Sequence, residues 1–342
     1  MTDALRVAAL TGDASVPSAR FRVGQFVDPL RNCGVELNWL KAIVSNYPPR
    51  RRELRPLWLP ANVAMRVPAV AATWRADVTL LQRELVSTLT TLEGFTHRPR
   101  VFDVDDAIWL RRGGGFAARI ASYCDLVIAG NDYLADWFGR HNRHVKVLPT
   151  AVDTERFSPR GVLGEEKDGG SVVIGWSGTS ANLEYLYEIE GPLARVLRER
   201  PRCRLEVCSS EPPRFPGLPA NRVRYEPWSP ATEAEFIQRL DIGLMPLPEN
   251  EWTRGKCSYK MLLYMACGVP SVVSPVGMNA QILDRGGIGF GAKTEAQWVD
   301  ALLALVDDAD LRRKFGSAGA GLAASEYSVT ALAPRLAALL ED

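Results

Sequence analysis

Positively charged side chains and a glycine-containing turn lie together in residues 254–279, RGKCSYKMLLYMACGVPSVVSPVGMN. Lys256 and Lys260 are four positions apart, so they share one helix face if a helix begins near Cys257, and Arg254 adds a third cation. A glycine between a strand and a helix lets backbone N–H groups approach a phosphate, here in the loop of Gly277, Met278 and Asn279. The segment predicts a diphosphate site, although a solvated basic helix face beside an ordinary turn accounts for the same residues.

Three carboxylates follow a short apolar run in VFDVDDAIW, namely Asp103, Asp105 and Asp106. At the end of a strand they would accept hydrogen bonds from ligand hydroxyl groups or stabilise a developing positive charge. The same cluster is compatible with magnesium, or with a helix cap formed by Asp105 or Asp106. We therefore expect these aspartates to be the catalytic carboxylates and keep the two alternatives open.

Further candidates lie at the ends of predicted strands in the first half of the chain. Arg20 and Arg22 flank Phe21 after the first loop, and at a spacing of two they point to different faces of a helix. Asn131 follows the apolar run CDLVIAG and Thr150 follows VKVLP. Contacts to an acceptor or a phosphate are predicted for Arg20, Arg22 and Asn131, with a surface charge or a cap as the alternative.

A cluster of arginines, Arg50, Arg51, Arg52 and Arg55, follows the sequence YPP and precedes Trp58. It is compatible with contact to anionic lipid, although a solvated loop is the favoured interpretation. Trp228, after the run NRVRYEP, would stack on a nucleoside base or pack in the core.

Length, charge and cysteine content limit the classes of protein to which the chain could belong. A chain of 342 residues suits two domains of about 150 residues each. The net charge of +1 provides no general attraction for nucleic acid. Six cysteines without a CxxC pair indicate a reduced, cytoplasmic setting. The acidic N-terminus does not resemble a signal peptide, and no apolar run reaches the ~20 residues of a membrane span.

Apolar strands alternate with helices in two separate stretches, which predicts parallel sheets covered on both faces. We predict an N-terminal Rossmann-like domain over residues 1–158, a linker over 159–170 and a second Rossmann-like domain over 171–325. The predicted linker is rich in Gly, Pro and charged residues. Ligands would bind at the carboxyl ends of the strands.

The run KMLLYMACGVPSVVSPVG resembles the donor-binding stretch of retaining glycosyltransferases of the large family 4, whose usual form is K-x-x-E-Y-M-A-x-G-x-P-V-V. The resemblance extends over most of the chain. DIGLMPL precedes this run as in that family, and IGWSGTSANLEYL resembles the first strand and loop of its C-terminal domain. Towards the front, the matching segments are SARFRVGQF, LLQREL, VFDVDDAIW and VLPTAVD.

The resemblance implies the GT-B fold, in which two Rossmann-like domains face each other across a cleft and the last helix, here 326–342, crosses back to the N-terminal domain. It implies transfer of a sugar with retention, without a metal or other cofactor, in surface polysaccharide, glycolipid or glycosylated-metabolite synthesis. The nucleotide sugar would bind the C-terminal domain and the acceptor the N-terminal domain, with possible peripheral contact to the inner membrane face. Two other functions remain open: an epimerase-like nucleotide-sugar enzyme, or a non-catalytic nucleotide-sugar-binding subunit.

Two departures from the family pattern alter the predicted donor site. Family members carry a Glu-x7-Glu pair whose positions here hold Gly255 and Leu263, so Glu251, or Glu249 beside it, is predicted to reach the sugar instead. The family's Arg and Lys after the first C-terminal strand are also missing, and the loop there offers Gly178, Thr179 and Asn182. The diphosphate contacts are therefore assigned to Arg254, Lys256 and Lys260, with Gly178 and Thr179 as further donor contacts.

Overall fold

The computed structural model describes residues 4–49, 51–159 and 171–342. Contacts divide the chain into two compact units. The first comprises Met1–Ala151, Arg254–Cys257 and Val329–Asp342, and the second comprises Val152–Thr253 and Ser258–Ser328. Of the predicted linker, residues 160–170 lie outside the described part of the chain.

The first unit is built on a six-stranded parallel sheet in the order β2-β1-β3-β4-β5-β6. Its strands are β1 (Leu5–Thr11), β2 (Val35–Lys41), β3 (Val78–Gln82), β4 (Arg100–Val104), β5 (Leu126–Ala129) and β6 (Val145–Val147). Its helices are α1 (Val27–Arg31), α2 (Arg55–Thr73), α3 (Gly115–Tyr123), α4 (Asp132–Phe138) and α13 (Val329–Glu341). The last helix places Leu332, Leu336 and Leu340 in the core beside Phe26 and Leu30.

The second unit is also a six-stranded parallel sheet, in the order β12-β11-β10-β7-β8-β9. Its strands are β7 (Val172–Ser177), β8 (Cys203–Ser209), β9 (Val223–Pro227), β10 (Ile242–Met245), β11 (Ser271–Val273) and β12 (Gly289–Gly291). Its first helices are α5 (Leu183–Tyr187), α6 (Glu190–Glu199), α7 (Glu233–Gln238) and α8 (Glu251–Arg254). They are followed by α9 (Tyr259–Ala266), α10 (Met278–Leu283), α11 (Glu295–Asp307) and α12 (Ala309–Leu322).

The predicted α/β class with two Rossmann-like units is confirmed by these sheets. Two segments are irregular. Residues 19–31 form a wide turn over Ala19–Val23, a tight turn over Gly24–Phe26 and the short α1. Residues 183–199 form two helices, α5 and α6. Helix α2 covers a stretch with no predicted element and contains Pro60 and Pro68.

Candidate active site

A pocket of about 300 Å³ lies at the carboxyl edge of the first sheet. In this sheet β1 is flanked by β2 and β3, so the strand order changes direction there, which is where ligands bind in open parallel sheets. The loop after β1 supplies most of the lining, and the loops after β2, β3 and β4 supply the rest. The lining residues are Asp13, Ser15, Val16, Pro17, Ser18, Phe21, Ser45, Tyr47, Arg83, Asp105 and Asp106.

Arg83 joins two of the three predicted catalytic aspartates within this pocket. Its Nε donates to Asp105 Oδ1 at 2.7 Å, and its Nη2 donates to Asp106 Oδ2. Its Nη1 reaches the Tyr47 hydroxyl at 3.4 Å. The backbone of Arg83 has a φ of 60°, an unfavourable value for a residue with a Cβ, and its N–H donates to the Asp103 carbonyl. The strand end therefore holds the guanidinium across both carboxylates.

The charged side chains among the lining residues are three carboxylates, Asp13, Asp105 and Asp106, and the guanidinium of Arg83. Burial raises the pKa of the Asp105 carboxyl to about 6, and the charge of Arg83 opposes that rise. The hydroxyl of Ser18 is buried in the lining and has no hydrogen-bond partner among the described residues. A ligand with hydroxyl groups would satisfy both the carboxylates and this serine.

Asp103 and Arg22 form a buried ion pair with a separation of 2.5 Å. The Arg22 Nη1 also donates to the Leu148 carbonyl at 3.0 Å, and both side chains of the pair are almost fully buried. Burial and this pairing give the two residues a structural role, and the acceptor contact of Arg22 and the catalytic role of Asp103 stay predictions. Arg20 is half-buried in the same turn, and its predicted acceptor contact stays a prediction.

The sequence left two alternatives open for the acidic cluster, a helix cap and a magnesium site. The turn Ile108–Leu110 that follows begins at Ala107 without a side-chain cap, so capping does not explain Asp105 or Asp106. In the described ranges, no three His, Cys, Asp or Glu side chains converge as metal ligands. The charges of the aspartates are instead matched by arginines.

Asn131 has a structural role that its position at a strand end does not reveal. Its Oδ1 caps helix α4 by accepting from the Leu134 N–H at 2.9 Å. Its Nδ2 donates to the Lys256 carbonyl at 3.2 Å, and the Cys257 thiol reaches the Asp105 carbonyl at 3.2 Å. Asn131 thus holds residues 254–257 within the first unit, and its predicted acceptor contact stays a prediction.

In the second unit, the strand order changes direction between β7 and β10. Gly178 follows β7, and helix α9, which follows β10, carries Lys260. The two residues meet at this edge: a Cβ on Gly178 would lie 2.7 Å from Lys260 Cε, and Lys260 Nζ lies 5.4 Å from the Trp176 ring centroid. Thr179 is exposed in the same loop. Hence the structure brings three of the predicted donor contacts together at a typical ligand-binding edge.

The loop before α10 presents its backbone rather than its side chains. Gly277 has a φ of 54° and begins the helix. Met278 is buried, and Asn279 is fully buried with its Nδ2 donating to the Ser274 carbonyl at 3.0 Å and its N–H to the Val276 carbonyl. The Asn279 side chain thus supports the loop, and its predicted donor contact stays a prediction.

Lys256 and Lys260 do not share a helix face. Helix α8 ends at Arg254, and α9 begins only at Tyr259, after Ser258 with a φ of 53°. Arg254 and Lys256 belong to the first unit, whereas Glu251 and Lys260 belong to the second. The predicted single cationic face is thus wrong. Individual donor contacts of Arg254, Lys256 and the exposed Glu251 stay predictions.

Packing explains why two expected glutamates are replaced. A Cβ on Gly255 would lie 2.7 Å from the Ala107 Cβ and 2.9 Å from its backbone nitrogen, so a longer side chain has no room there. Leu263 is buried in α9 at 2% exposure. Neither position presents a surface to a sugar in this chain.

Sequence reasoning missed Arg83, Tyr47 and Asp13 as members of a site. Arg83 is the first charged residue after the apolar strand β3, and that position at a carboxyl strand end was an available signal. Tyr47 and Asp13 carry no comparable signal, because each lies in a loop whose course depends on the fold.

Comparison with known proteins agrees with this architecture. Residues 173–308 match the family described as Glycosyl transferases group 1. Sucrose-phosphate synthase from Thermosynechococcus elongatus superposes with a TM-score of 0.73 at 12% identity, with 98% of each chain covered. HepE of Anabaena in complex with UDP-glucose gives 0.68 at 13% identity, covering 98% of this chain and 99% of that one. WaaG, a glycosyltransferase involved in lipopolysaccharide biosynthesis, gives 0.65 at 12% identity, with 98% and 99% covered.

No curated protein matches the chain in sequence. The fold is GT-B, and residues 173–308 form a domain of the group 1 glycosyltransferases. The protein is a glycosyl-transfer enzyme, as the resemblance implied.

The buried pairing of Arg83 generates a stability prediction. Arg83→Met leaves two carboxylates in a poorly hydrated pocket without their cation, so we expect a loss of about 3 kcal/mol in the free energy of unfolding at pH 8. The loss should shrink towards pH 5, because protonation at the raised pKa of Asp105 removes the uncompensated charge. Urea unfolding at both pH values measures this difference.

Arg31→Met is the matched control, since Arg31 pairs with Asp28 on the exposed surface of the same unit. It should cost under about 1 kcal/mol at either pH. Equal losses for the two variants would show that Arg83 has no special role in the pocket.

Proposed function

We propose that the protein is a retaining, metal-independent glycosyltransferase that moves a sugar from a nucleotide-sugar donor to a hydroxyl-bearing acceptor. The observation that carries the proposal is the meeting of Lys260 and Gly178 where the strand order of the second sheet changes direction. It falls within the segment that matches the glycosyltransferase family. The neighbouring structure of HepE contains UDP-glucose, which supports a nucleotide sugar as the donor class.

Lys260 would bind the donor diphosphate and stabilise it as it leaves. Gly178 lacks a side chain where the lysine stem passes, and Trp176 lies beneath its ammonium group, so the cation is held at the strand edge. Gly277 has no Cβ at the turn before α10, so a phosphate of the donor would be able to approach the backbone N–H groups there. As the bond from the anomeric carbon to the diphosphate breaks, negative charge develops on oxygen, and a positioned cation stabilises it.

The acceptor would occupy the pocket of the first unit. Its carboxylates and the buried Ser18 hydroxyl favour a neutral, hydroxyl-bearing sugar and disfavour a phosphate at the reacting end. Asp105, ionised above its pKa of about 6, would accept hydrogen bonds from sugar hydroxyls or stabilise positive charge at the anomeric carbon. The products would be surface polysaccharide, glycolipid or a glycosylated metabolite.

The reaction would take place in the cytoplasm, with peripheral contact to the membrane. In the described part of the chain, no helix combines the length and apolar composition needed to cross a bilayer. In the metal-independent route, Arg22 and Arg83 would balance the charges of the predicted catalytic carboxylates. The proposal also assigns acceptor binding to residues 1–158 and donor binding to residues 171–325.

Donor binding tests the role of Lys260. Lys260→Met keeps the stem beside Trp176 but removes the charge, so UDP affinity should fall by about 2 kcal/mol, roughly thirtyfold. Isothermal titration with UDP and UDP-sugars measures the change. A saturating ligand at a hundredfold excess over Kd should also stabilise the wild type by about 2.7 kcal/mol in thermal unfolding.

Lys314→Met, an exposed lysine on α12, is the control and should leave UDP binding unchanged. If Lys260→Met bound every tested nucleoside diphosphate as tightly as wild type, the diphosphate assignment would be lost.

Turnover should depend on the ionisation of Asp105. Because the pKa of Asp105 is raised to about 6, kcat should decline on acidification below that pH, by about tenfold per pH unit. Asp105→Asn keeps an acceptor for Arg83 but lacks the charge, so it should lower kcat more than it changes KM and should abolish the acidic limb. A variant with full kcat would remove Asp105 from the reaction.

Divalent cations test the metal-independent part of the proposal. Turnover measured with each nucleotide sugar should be unchanged after treatment with EDTA, and added Mg²⁺ should not raise it. Activity that vanishes with EDTA and returns with Mg²⁺ would replace this route with one in which the metal neutralises the diphosphate.

A further inference from the structure

Helix α2 buries its strongly polar residues and exposes many of its apolar ones. Between Pro56 and Ala72 the strongly polar residues are Asn62 and Arg66, and both are buried, at 1% and 3% exposure. The opposite face carries exposed Leu57, at 72%, together with Met65 and Val67. The remaining exposed residues of this face are Pro60, Ala61, Ala64, Pro68 and Ala71. A water-facing helix normally shows the reverse pattern.

The buried polar face is bonded to the loops around the pocket of the first unit. Asn62 Nδ2 donates to the Ser45 carbonyl at 2.7 Å, and Trp58 Nε1 donates to the same oxygen at 3.2 Å. Arg66 donates to the carbonyls of Thr11 at 2.7 Å and Leu85 at 2.9 Å. Ser45 itself lines the pocket. The apolar face is therefore the outer side of a helix whose inner side holds the proposed acceptor site.

Charges and aromatic rings border the apolar face at its two ends. Arg51, Arg52 and Arg55 are exposed before and at the start of α2, and exposed Arg75 follows it. Exposed Trp74, at 65%, and Phe95, at 68%, lie at the far end, where Trp74 Nε1 donates to the Phe95 carbonyl. An apolar strip with arginines and aromatic residues at its borders fits the boundary between lipid headgroups and acyl chains.

We infer that the outer face of α2 docks on an anionic lipid bilayer and that the acceptor reaches the pocket from that surface as a lipid-linked sugar. This inference deepens the membrane contact proposed above. The arginines select a negatively charged surface, and the apolar residues enter the headgroup boundary. A second copy of the chain would need a complementary face, whereas the positive rim of this one would repel its own copy across a two-fold axis.

Flotation with lipid vesicles tests the inference on the full chain. Wild type should bind vesicles of equimolar phosphatidylglycerol and phosphatidylcholine, and bind pure phosphatidylcholine far more weakly. Arg51→Gln and Arg52→Gln should each weaken anionic binding about fivefold. Leu57→Glu should weaken it about tenfold, because a charge replaces an inserted side chain.

Ala64→Glu and Ala338→Glu form a matched pair, since both alanines are exposed within helices, on α2 and α13 respectively. Only Ala64→Glu should reduce flotation. Wild type that stays off anionic vesicles, or equal losses for the two alanine variants, would overturn the inference. A dimer that Ala64→Glu dissociates, without vesicle binding, would overturn it in favour of a copy interface.

The outcome is separable from that of the transferase proposal. UDP binding by Leu57→Glu and Ala64→Glu should equal that of wild type, because α2 belongs to the first unit and carries no predicted donor contact. Failure to float with intact UDP binding would remove only the membrane surface. Flotation without any nucleotide binding would remove only the proposed reaction.

Discussion

Parallel strand pairing is the constraint on which both candidate sites depend. In each sheet the neighbouring strands run in the same direction, so the loops that follow them converge on one edge. This brings Asp13, Arg83 and Asp105 to one pocket in the first unit, although they are far apart in sequence. In the second unit it brings Gly178 and Lys260 together by the same rule.

Buried arginines then fix the loops of the first unit at that edge. Arg22 binds Asp103 and the Leu148 carbonyl, Arg66 binds the carbonyls of Thr11 and Leu85, and Arg83 spans Asp105 and Asp106. A guanidinium presents several donors in a fixed plane, so one side chain can bridge groups from separate loops. All three aspartates pair with arginines, but Asp105 and Asp106 line the pocket, where a ligand would meet them, and Asp103 does not.

The fold was largely predictable, because apolar strands and glycine-rich turns repeat along the chain and fix the parallel sheets. Individual site residues were less so. The type and position of Asp105 identified it, whereas Arg22 and Asp103 have the same signature but neutralise each other in the interior. The supposed helix through Lys256 fails at Ser258, whose left-handed backbone no pattern of charges reveals.

Helix α2 escaped prediction for a related reason. Prediction from periodicity assumes that a helix buries its apolar face. In addition, Pro60 and Pro68 lie inside α2, and proline normally argues against a helix. Here the inner side of the helix combines buried Val70 with hydrogen bonds from Asn62 and Arg66 to backbone carbonyls. Burial lowers the pKa of Arg66 to about 10, so the guanidinium still carries its charge at neutral pH and bonds strongly to those carbonyls. The exposed apolar residues of α2 therefore contact solvent, and contact of apolar side chains with water is less favourable than contact with lipid chains. The same hydrogen bonds therefore determine which residues of α2 face outward beside the pocket of the first unit.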